Sequence, residues 1–262
     1  MISSTDREEA ADRLWAAERD RAPIDPLVET WPDLDVVDAY EIQLRNIARR
    51  REHDGVSVVG HKVGLSSKAM QEMMGVDEPD YGHLLSDMAL SEDTPVATER
   101  YCYPRVEVEV GFVLREALPG EGCTEQDVRS ATEALVPSIE LIDSRITDWR
   151  ISLPDTIADN ASSAGFIIGS GRARPDELDP AGIAARLHRN GEQVAQGDTR
   201  AVLGDPTTAV AWLARKVAAF GITLEAGHLV LPGSCTRAID VRPGDRFHAE
   251  FAGLGTVSVE FK

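Results

Sequence analysis

The sequence lacks several features that would place it in a specialised class of protein. No apolar run approaches the roughly 18 residues that cross a bilayer, and the polar start MISSTDREEAADRLW has no apolar signal-peptide core. The three cysteines, Cys102, Cys123 and Cys235, are an odd number at wide spacing without a CxxC pair. We therefore expect a cytoplasmic protein whose thiols pack in a reducing compartment instead of forming a disulfide framework.

Positive charge is also scarce. Lysine and arginine total 27 against 45 aspartates and glutamates, so the formal net charge is -18. Phosphates and anionic lipids would repel such a surface, and we expect neither nucleic acid nor a membrane as a partner. The 262 residues, 42% of them hydrophobic, are enough for a sizeable core in a soluble globular protein.

Helical periodicity dominates the first fifth of the chain. Residues 4–20 predict an amphipathic helix, and DVVDAYEIQLRNIARRR predicts a second one with Val37, Tyr40, Leu44 and Ile47 on its apolar stripe. From VSVVGHKVGL onwards, short β-rich runs alternate with Gly and Pro, and AGLG near the end indicates a hairpin. A later helix is predicted to begin at the Asp205 cap and end at Gly221.

This pattern predicts an α+β protein with a large mixed sheet. We expect an N-terminal helical segment over residues 1–54 and a mixed β catalytic domain over residues 55–262, which together form one structural unit. Strands and helices do not alternate regularly along the chain, which argues against a doubly wound fold.

Two glutamates stand on one side of a predicted strand in YPRVEVEVGFVLREAL. Val106, Val108 and neighbouring apolar residues form one face, and Glu107 and Glu109 fall on the other. One interpretation is a solvated polar face, which is common in strands. The other is a metal site, because alternate strand residues lie about 7 Å apart and can converge on one ion.

A third acid favours the metal interpretation. Glu140 interrupts the apolar run of ALVPSIELIDSR, where a charged residue is rarely buried unless it is paired or bound to metal. Three glutamates without a nearby His or Cys make an all-oxygen set. Such a set suits Mg²⁺ or Mn²⁺ better than zinc.

Lys62 in GVSVVGHKVGLSS is a second unusual residue. It is either a strand-end lysine whose stem packs while its ammonium reaches water, or a partly buried amine whose pKa falls and suits proton transfer. Further along, DEPDYG is predicted to be a turn that holds Asp77 and Asp80.

Two polar stretches could bind a carboxylate through backbone N–H groups and hydroxyls. LPDTIADNASSAGF places Ser162 just before a strand, and LVLPGSCTRAI places Gly233 and Ser234 at the end of another. Either stretch could equally be a simple hairpin connection. Cys235, which follows Ser234, has no obvious base near it in sequence, so we expect it to pack.

Five blocks in order resemble the 2-keto-4-pentenoate hydratase family of the fumarylacetoacetate hydrolase superfamily: GHKVGLSSKAMQ, GVDEPDYGHLLSDM, PRVEVEVGFVL, IELIDSRITDWRISLPDTIADNASS and VLPGSCTRAIDV. The likeness runs from about residue 8 to the end. It departs at His61, where Tyr or Arg is expected, and at Cys235.

The resemblance implies a site as well as a fold. The fold is a mixed β-sheet roll of the fumarylacetoacetate hydrolase C-terminal type with packed helices. The implied Mg²⁺ or Mn²⁺ ligands are Glu107, Glu109 and Glu140, and the implied catalytic residues are Lys62 and Asp80. The residues implied to lie near the substrate carboxylate are Ser162, Gly233 and Ser234.

The implied activity is hydration of a 2-hydroxy-2,4-dienoate (2-keto-4-pentenoate) to 4-hydroxy-2-oxopentanoate or a homologue, in meta-cleavage degradation of aromatic or steroid compounds. The resemblance also implies a homo-oligomer and allows a complex with a downstream aldolase or a sister decarboxylase. Two alternatives stay open. One is 4-oxalocrotonate (2-oxo-3-hexenedioate) decarboxylase, and the other is a non-catalytic partner subunit of such an enzyme.

Overall fold

The computed structural model describes residues 1–262, apart from the side chain of Met73. Within the described chain the α-helices are α1 (Ser4–Asp20), α2 (Leu27–Thr30), α3 (Val36–His53), α4 (Lys68–Met74), α5 (Glu125–Ala131), α6 (Leu153–Ala158) and α7 (Pro206–Ala218). The strands are β1 (Val58–Gly64), β2 (Asp80–Leu85), β3 (Arg105–Leu114), β4 (Thr132–Ile142), β5 (Ser163–Ile168), β6 (Ala184–Arg189), β7 (Glu192–Asp198), β8 (Leu229–Leu231), β9 (Ile239–Asp240), β10 (Arg246–Phe251) and β11 (Gly255–Glu260). Single turns of 3₁₀ helix lie at Ser86–Met88, Thr98–Arg100, Thr147–Trp149, Asn160–Ser162 and Thr199–Ala201.

The larger sheet is mixed and carries the candidate site. Its strand order is β2-β1-β8-β3-β4-β5, with β9 added beside β3. β1 and β8 are parallel, and the other neighbours are antiparallel. Leu90, which follows β2, donates its N–H to Phe166 on β5 at 2.9 Å, so the two ends of the sheet approach each other and the sheet curls. The predicted α+β class with a mixed β-sheet roll is confirmed.

The long strand β3 shows the predicted alternation. Val106, Val108, Val110 and Phe112 are all buried in the main apolar cluster. Glu107 and Glu109 point to the opposite face, because successive side chains of a strand alternate. The hydrophobic residues therefore hold the strand in the core while its other face presents acidic groups.

A second sheet packs beside the first with the strand order β11-β10-β6-β7. The predicted AGLG hairpin is present, with Phe251 paired to Gly255. The strands β6 and β7 were not predicted from the sequence, because β7 is polar and its residues are exposed or half-buried. Asn190 and Gly191, both with positive φ, join β6 and β7. An Asn-Gly dipeptide is itself a hairpin signal and could have revealed them.

The N-terminal helices share the main core with the strands. Leu14 of α1 and Tyr40 of α3 belong to the same buried cluster as Val108 of β3, and Tyr40 stacks on Tyr81 of β2 at 4.5 Å between ring centroids. Val37 is wrong as a stripe residue, because its side chain is exposed on α3. The division into residues 1–54 and 55–262 stays a prediction.

The predicted helix cap at Asp205 is present, and α4 begins with a similar cap. The Asp205 side chain accepts a hydrogen bond from the Thr207 N–H at the start of α7, and the Ser67 side chain accepts one from the Met70 N–H at the start of α4. These bonds satisfy N–H groups that have no partner within the helix. In the described residues, no helix combines the length and the apolar character needed to cross a bilayer.

Cys102, Cys123 and Cys235 are free thiols. Burial, more than the neighbouring Glu109, raises the pKa of the Cys235 thiol far above its usual range. A thiol that resists ionisation is a poor nucleophile, which agrees with the expectation that Cys235 packs.

Candidate active site

Three carboxylates from two neighbouring strands meet on one face of the curled sheet. Glu107 and Glu109 come from β3, and Glu140 comes from β4 directly opposite Glu107. One carboxylate oxygen of each lies within 4.8 Å of those of the other two. Glu109 and Glu140 have no exposed surface, whereas Glu107 is half-buried at the open side of the cluster. The arrangement brings together the three predicted metal ligands, whose role stays a prediction.

Most of the buried oxygens in this cluster have no hydrogen-bond donor. Both carboxylate oxygens of Glu140 and the Oε1 atom of Glu109 are without a hydrogen-bond partner, and the Oε2 atom of Glu109 accepts from the Gly233 N–H at 2.8 Å. Buried anionic oxygens of this kind are unfavourable unless a cation compensates them. Three hard oxygen donors with an open side match what Mg²⁺ or Mn²⁺ prefers, so the residues present fit a divalent ion.

The carboxylates are correspondingly hard to ionise. Burial raises the pKa of Glu107 to about 7, opposed by Lys62 and reinforced by Glu140. Burial, followed by repulsion from Glu140 and Glu107, raises the pKa of Glu109 well above its usual range. Burial also raises the pKa of Glu140, although the Lys62 ammonium opposes it. These pKa directions describe the chain without a bound cation.

Lys62 reaches the acidic cluster from β1. Its Nζ atom lies 3.5 Å from Glu140 Oε1 and donates to the Ala161 carbonyl oxygen at 2.9 Å. Burial works to lower the pKa of Lys62, but the surrounding carboxylates, Glu140 foremost and then Asp80, outweigh it and raise that pKa above its ordinary value. In the metal-free chain the structure therefore contradicts one of the two interpretations of Lys62, the buried amine with a lowered pKa. That interpretation considered the effect of burial on the pKa of Lys62 but not the effect of the carboxylates that lie near Lys62 in the fold.

Asp80 lies beside Lys62. It is the first residue of β2, buried, and paired with Gly64 of β1. The turn covers only the residues before it, so the prediction that Asp80 is a turn residue is wrong. Its Oδ1 atom has no hydrogen-bond partner, and burial raises the pKa of Asp80 against the opposing effect of Lys62.

Gly64 makes room for this acid. A Cβ atom at residue 64 would overlap Asp80 Oδ1 and would lie 3.5 Å from Lys62 Nζ. A side chain at this position would therefore displace the carboxylate.

Of the three residues predicted to contact a substrate carboxylate, Ser162 faces the cavity. Its hydroxyl lies 3.4 Å from the Thr156 hydroxyl, and both residues line the cavity. Gly233 and Ser234 lie behind the acidic cluster: Gly233 contacts Glu109, and the Ser234 hydroxyl is 3.3 Å from the Val108 N–H. The carboxylate-binding role of all three stays a prediction.

A cavity of about 260 Å³ opens over these groups. Lys62, Asp80, Glu107 and Ser162 line it together with residues that sequence reasoning did not select as site residues. Those residues are Gly64, Leu65, Met70, Met74, Arg105, Ile142, Trp149, Ile151, Thr156, Ala161 and Ala238. Strand alternation could have indicated Arg105, which lies two residues before Glu107. The others come mainly from loops and helices without a local signal.

Arg105 and Trp149 form part of the cavity wall. The Arg105 guanidinium lies 4.4 Å from the centre of the Trp149 ring, and its Nε atom donates to Asp240 at 2.7 Å. A larger cavity of about 850 Å³ on the other face of β1 is lined by His61, His83 and other residues. The smaller cavity is the candidate active site because the unpaired acids and Lys62 converge there.

Comparison with known proteins agrees with this geometry. Residues 53–262 match the fumarylacetoacetate (FAA) hydrolase C-terminal family. The chain is 43% identical over 256 residues to 2-keto-4-pentenoate hydratase of Paraburkholderia xenovorans (strain LB400), covering 98% of this chain and 95% of that protein. It is 42% identical over 257 residues to 2-oxo-hept-4-ene-1,7-dioate hydratase of Escherichia coli, covering 96% of each.

A solved structure has nearly the same fold as this chain. The 4-oxalocrotonate decarboxylase from Pseudomonas putida G7, complexed with magnesium and adipate, superposes with a TM-score of 0.96 at 34% identity, covering 100% of this chain and 99% of that one. The chain therefore belongs to the fumarylacetoacetate hydrolase family. Its full-length relatives with assigned reactions include hydratases, which are hydro-lyases, and a decarboxylase.

Proposed function

We propose that the protein is a metal-dependent hydratase that adds water to a 2-hydroxy-2,4-dienoate and yields a 4-hydroxy-2-oxo acid, in meta-cleavage degradation of aromatic or steroid compounds. The observation that carries the proposal is that Lys62, Asp80 and Glu107 line one cavity, while Glu109 and Glu140 cluster with Glu107 and Lys62 beneath it. The full-length likeness to 2-keto-4-pentenoate hydratase supports the choice of reaction.

The three glutamates are proposed to hold Mg²⁺ or Mn²⁺. The decarboxylase relative with bound magnesium supports a divalent ion, and the all-oxygen donor set supports these two metals. When bound, the ion supplies positive charge that stabilises the anionic C2 oxygen of the substrate during ketonisation. The open side of the cluster, at half-buried Glu107, leaves room for the C1 carboxylate and C2 oxygen of the substrate.

Lys62 and Asp80 are proposed to handle protons and water. Hydration requires a proton at C5, addition of water at C4 of the resulting 2-oxo-3-enoate, and a proton at C3. Lys62 is the buried cation closest to the acids and is proposed to carry the C5 or C3 proton. Asp80, with one unpaired oxygen, is proposed to orient the attacking water or to act as its base.

The lining favours a substrate whose distal end carries no charge. Leu65, Met70, Met74 and Ile151 supply apolar surface to the cavity. Arg105 is the remaining cation of the wall, and its guanidinium is already held by Asp240 and Trp149. We therefore propose a short or alkyl group at C5, with Ser162 near the C1 carboxylate. Higher kcat/KM for 2-hydroxyhexa-2,4-dienoate than for 2-hydroxyhepta-2,4-diene-1,7-dioate supports this choice, and the reverse order contradicts it.

The decarboxylase reading is the second candidate, because a 4-oxalocrotonate decarboxylase matches the fold over the whole chain. Incubation with 2-hydroxypenta-2,4-dienoate and, separately, with 2-oxohex-3-enedioate distinguishes the two, with substrate followed by ultraviolet absorbance and CO₂ measured directly. We expect the five-carbon dienol to be consumed with no CO₂ release, and consumption to stop with EDTA and resume with Mg²⁺ or Mn²⁺. Release of CO₂ from the dioate without turnover of the dienol would establish the decarboxylase.

A non-catalytic partner subunit is the third candidate. Lys62, Asp80 and Glu107 all line one cavity, and Glu109 and Glu140 cluster with Glu107, which argues against it. Absence of turnover on both acids in the presence of either metal would favour it.

Assembly and location are proposed from weaker features. Half-buried Val56, Val58, Val59 and Val113, which pack against the smaller apolar cluster, support a homo-oligomer, which light scattering after size-exclusion chromatography tests. A complex with a downstream aldolase or a sister decarboxylase stays a prediction. The three free thiols support a cytoplasmic location.

A further inference from the structure

The side chain of Asn160 pairs with the backbone of β2 as a neighbouring strand would. Its Oδ1 atom accepts from the His83 N–H at 2.8 Å, and its Nδ2 atom donates to the His83 carbonyl at 2.9 Å. β2 is an edge strand of the larger sheet. Both backbone groups of His83 point away from β1 and need a partner. We call this pair of hydrogen bonds the Asn160 clamp.

The clamp holds a turn with an unusual backbone. Asn160, Ala161 and Ser162 have φ values of 53°, 50° and 58°, three consecutive non-glycine residues in the left-handed region. Such a conformation is disfavoured for residues with a Cβ and persists only where surrounding contacts impose it. The Asn160 clamp is one such contact.

The other contacts of the turn lead to the candidate catalytic groups. The Ala161 carbonyl accepts from Lys62 Nζ at 2.9 Å, and Ser162 lines the cavity. Gly82, the residue paired with Lys62 in the β1–β2 register, lies against the turn, since a Cβ there would overlap the Asn160 carbonyl oxygen. The position of the turn relative to β2 therefore sets where the Ala161 oxygen meets the Lys62 ammonium.

We infer that Asn160 is a positioning residue for Lys62, and this inference rests on the proposed function. Through the clamp, Asn160 keeps the left-handed turn against β2, so that the Ala161 carbonyl aligns Nζ of Lys62 with the substrate. Asn160 is not among the described residues that line the candidate active-site cavity, and it touches no reacting atom. Loss of the clamp shifts the acceptor of Lys62 and leaves the metal ligands in place.

The test uses Asn160→Gly in the full chain. Glycine tolerates positive φ, so this variant removes the clamp without adding backbone strain. Asn190→Gly is the matched control: Asn190 has a φ of 54°, and its side chain likewise donates to Asp245 at 3.0 Å and accepts from the Arg246 N–H at 2.9 Å. It lies in the β6–β7 hairpin, outside the cavity lining.

Three measurements distinguish positioning from a purely structural role. We expect kcat on 2-hydroxypenta-2,4-dienoate to fall about tenfold to a hundredfold in Asn160→Gly, with a smaller change in KM and an unchanged Mn²⁺ affinity. Hydrogen exchange of the His83 amide should become faster in the same variant. Asn190→Gly should keep wild-type kcat and wild-type exchange at His83.

Each outcome bears on the inference. Unchanged kcat with faster His83 exchange would overturn the positioning role, and unchanged exchange would overturn the clamp itself. If Asn160→Gly does not fold, Asn160→Asp keeps the acceptor for the His83 N–H and loses only the donor to the His83 carbonyl. It is compared with Asn190→Asp by kcat alone: we expect kcat to fall in Asn160→Asp and not in Asn190→Asp, and unchanged kcat in Asn160→Asp would overturn the positioning role. Wild-type protein that does not turn over the dienoate would instead refute the proposed function, and the exchange measurement would still report on the clamp.

Discussion

Glu107 on β3 and Glu140 on β4 face each other directly across an antiparallel strand pair. Like charges in this position repel each other, and the nearby Lys62 ammonium, 3.5 Å from Glu140, compensates only one of them. The pair therefore costs stability in the metal-free chain, and a divalent cation held by these acids would offset that cost.

Replacing Glu107 tests both the cost of this repulsion and the proposed role of Glu107 in metal binding. We expect Glu107→Gln to weaken Mn²⁺ binding by about tenfold or more, since one anionic ligand is lost. The metal-free Tm should not fall, because a buried like-charge repulsion is removed. Calorimetric titration and thermal unfolding in EDTA measure the two effects. Exposed Glu116→Gln is the control, and wild-type Mn²⁺ affinity in Glu107→Gln would exclude its ligand role.

Removing the Lys62 amine should affect turnover more than metal binding. We expect Lys62→Met to lower kcat on the dienoate by about 10²–10⁴-fold, the usual contribution of a general acid or base. Mn²⁺ affinity should stay the same or increase, because a competing positive charge leaves the site. Steady-state kinetics and metal titration check both, with exposed Lys68→Met as the control. Wild-type kcat in Lys62→Met would eliminate the proton-transfer role.

Gly64 offers a way to move Asp80 without changing it. A Cβ at residue 64 overlaps Asp80 Oδ1, so Gly64→Ala should displace the carboxylate and lower kcat at least about tenfold. Because the effect passes through Asp80, the double variant Gly64→Ala/Asp80→Asn should be no slower than Asp80→Asn alone. Additive losses of kcat in this double-mutant cycle would show that Gly64 acts by another route.

Buried histidines should make the protein less stable in mild acid. Burial, followed by His83 and His228, lowers the pKa of His61 well below 6.5, and burial lowers that of His83 to about 4. In the unfolded chain these rings regain ordinary pKa values, so below pH 6.5 the unfolded state binds more protons. The stabilising contribution is complete above pH 6.5 and declines as the pH falls toward 4.

Urea unfolding in EDTA at pH 7 and pH 5 measures this linkage. Each of these buried histidines should lower the free energy of unfolding at pH 5 by about 2 kcal/mol. In His61→Phe, the free energy of unfolding should depend less on pH by that amount. The substitution also removes two buried nitrogens that have no hydrogen-bond partner. Exposed His53→Phe serves as the control. A pH dependence that is the same in wild type and His61→Phe would contradict the assignment.

Periodic features were predictable from sequence because they depend on neighbours a few residues away. The alternation of valine and glutamate in β3 placed Glu107 and Glu109 on one face, and the Asp205 cap marked a helix start. β2 was missed because a turn-like DEPDYG precedes and overlaps it. Fully buried strands such as β2 lack the alternation that identifies half-exposed ones.

Sequence was sufficient to predict the composition of the site: an all-oxygen acidic set, a lysine on a separate strand, and the order of motifs that marks the family. The electrostatics of the site depend on the three-dimensional fold. Lys62 and Glu140 are 78 residues apart in the chain, yet Nζ and Oε1 lie 3.5 Å apart, so the pKa of Lys62 rises where burial alone would lower it. Coulombic interaction depends on distance through space, and strand pairing between distant segments sets that distance.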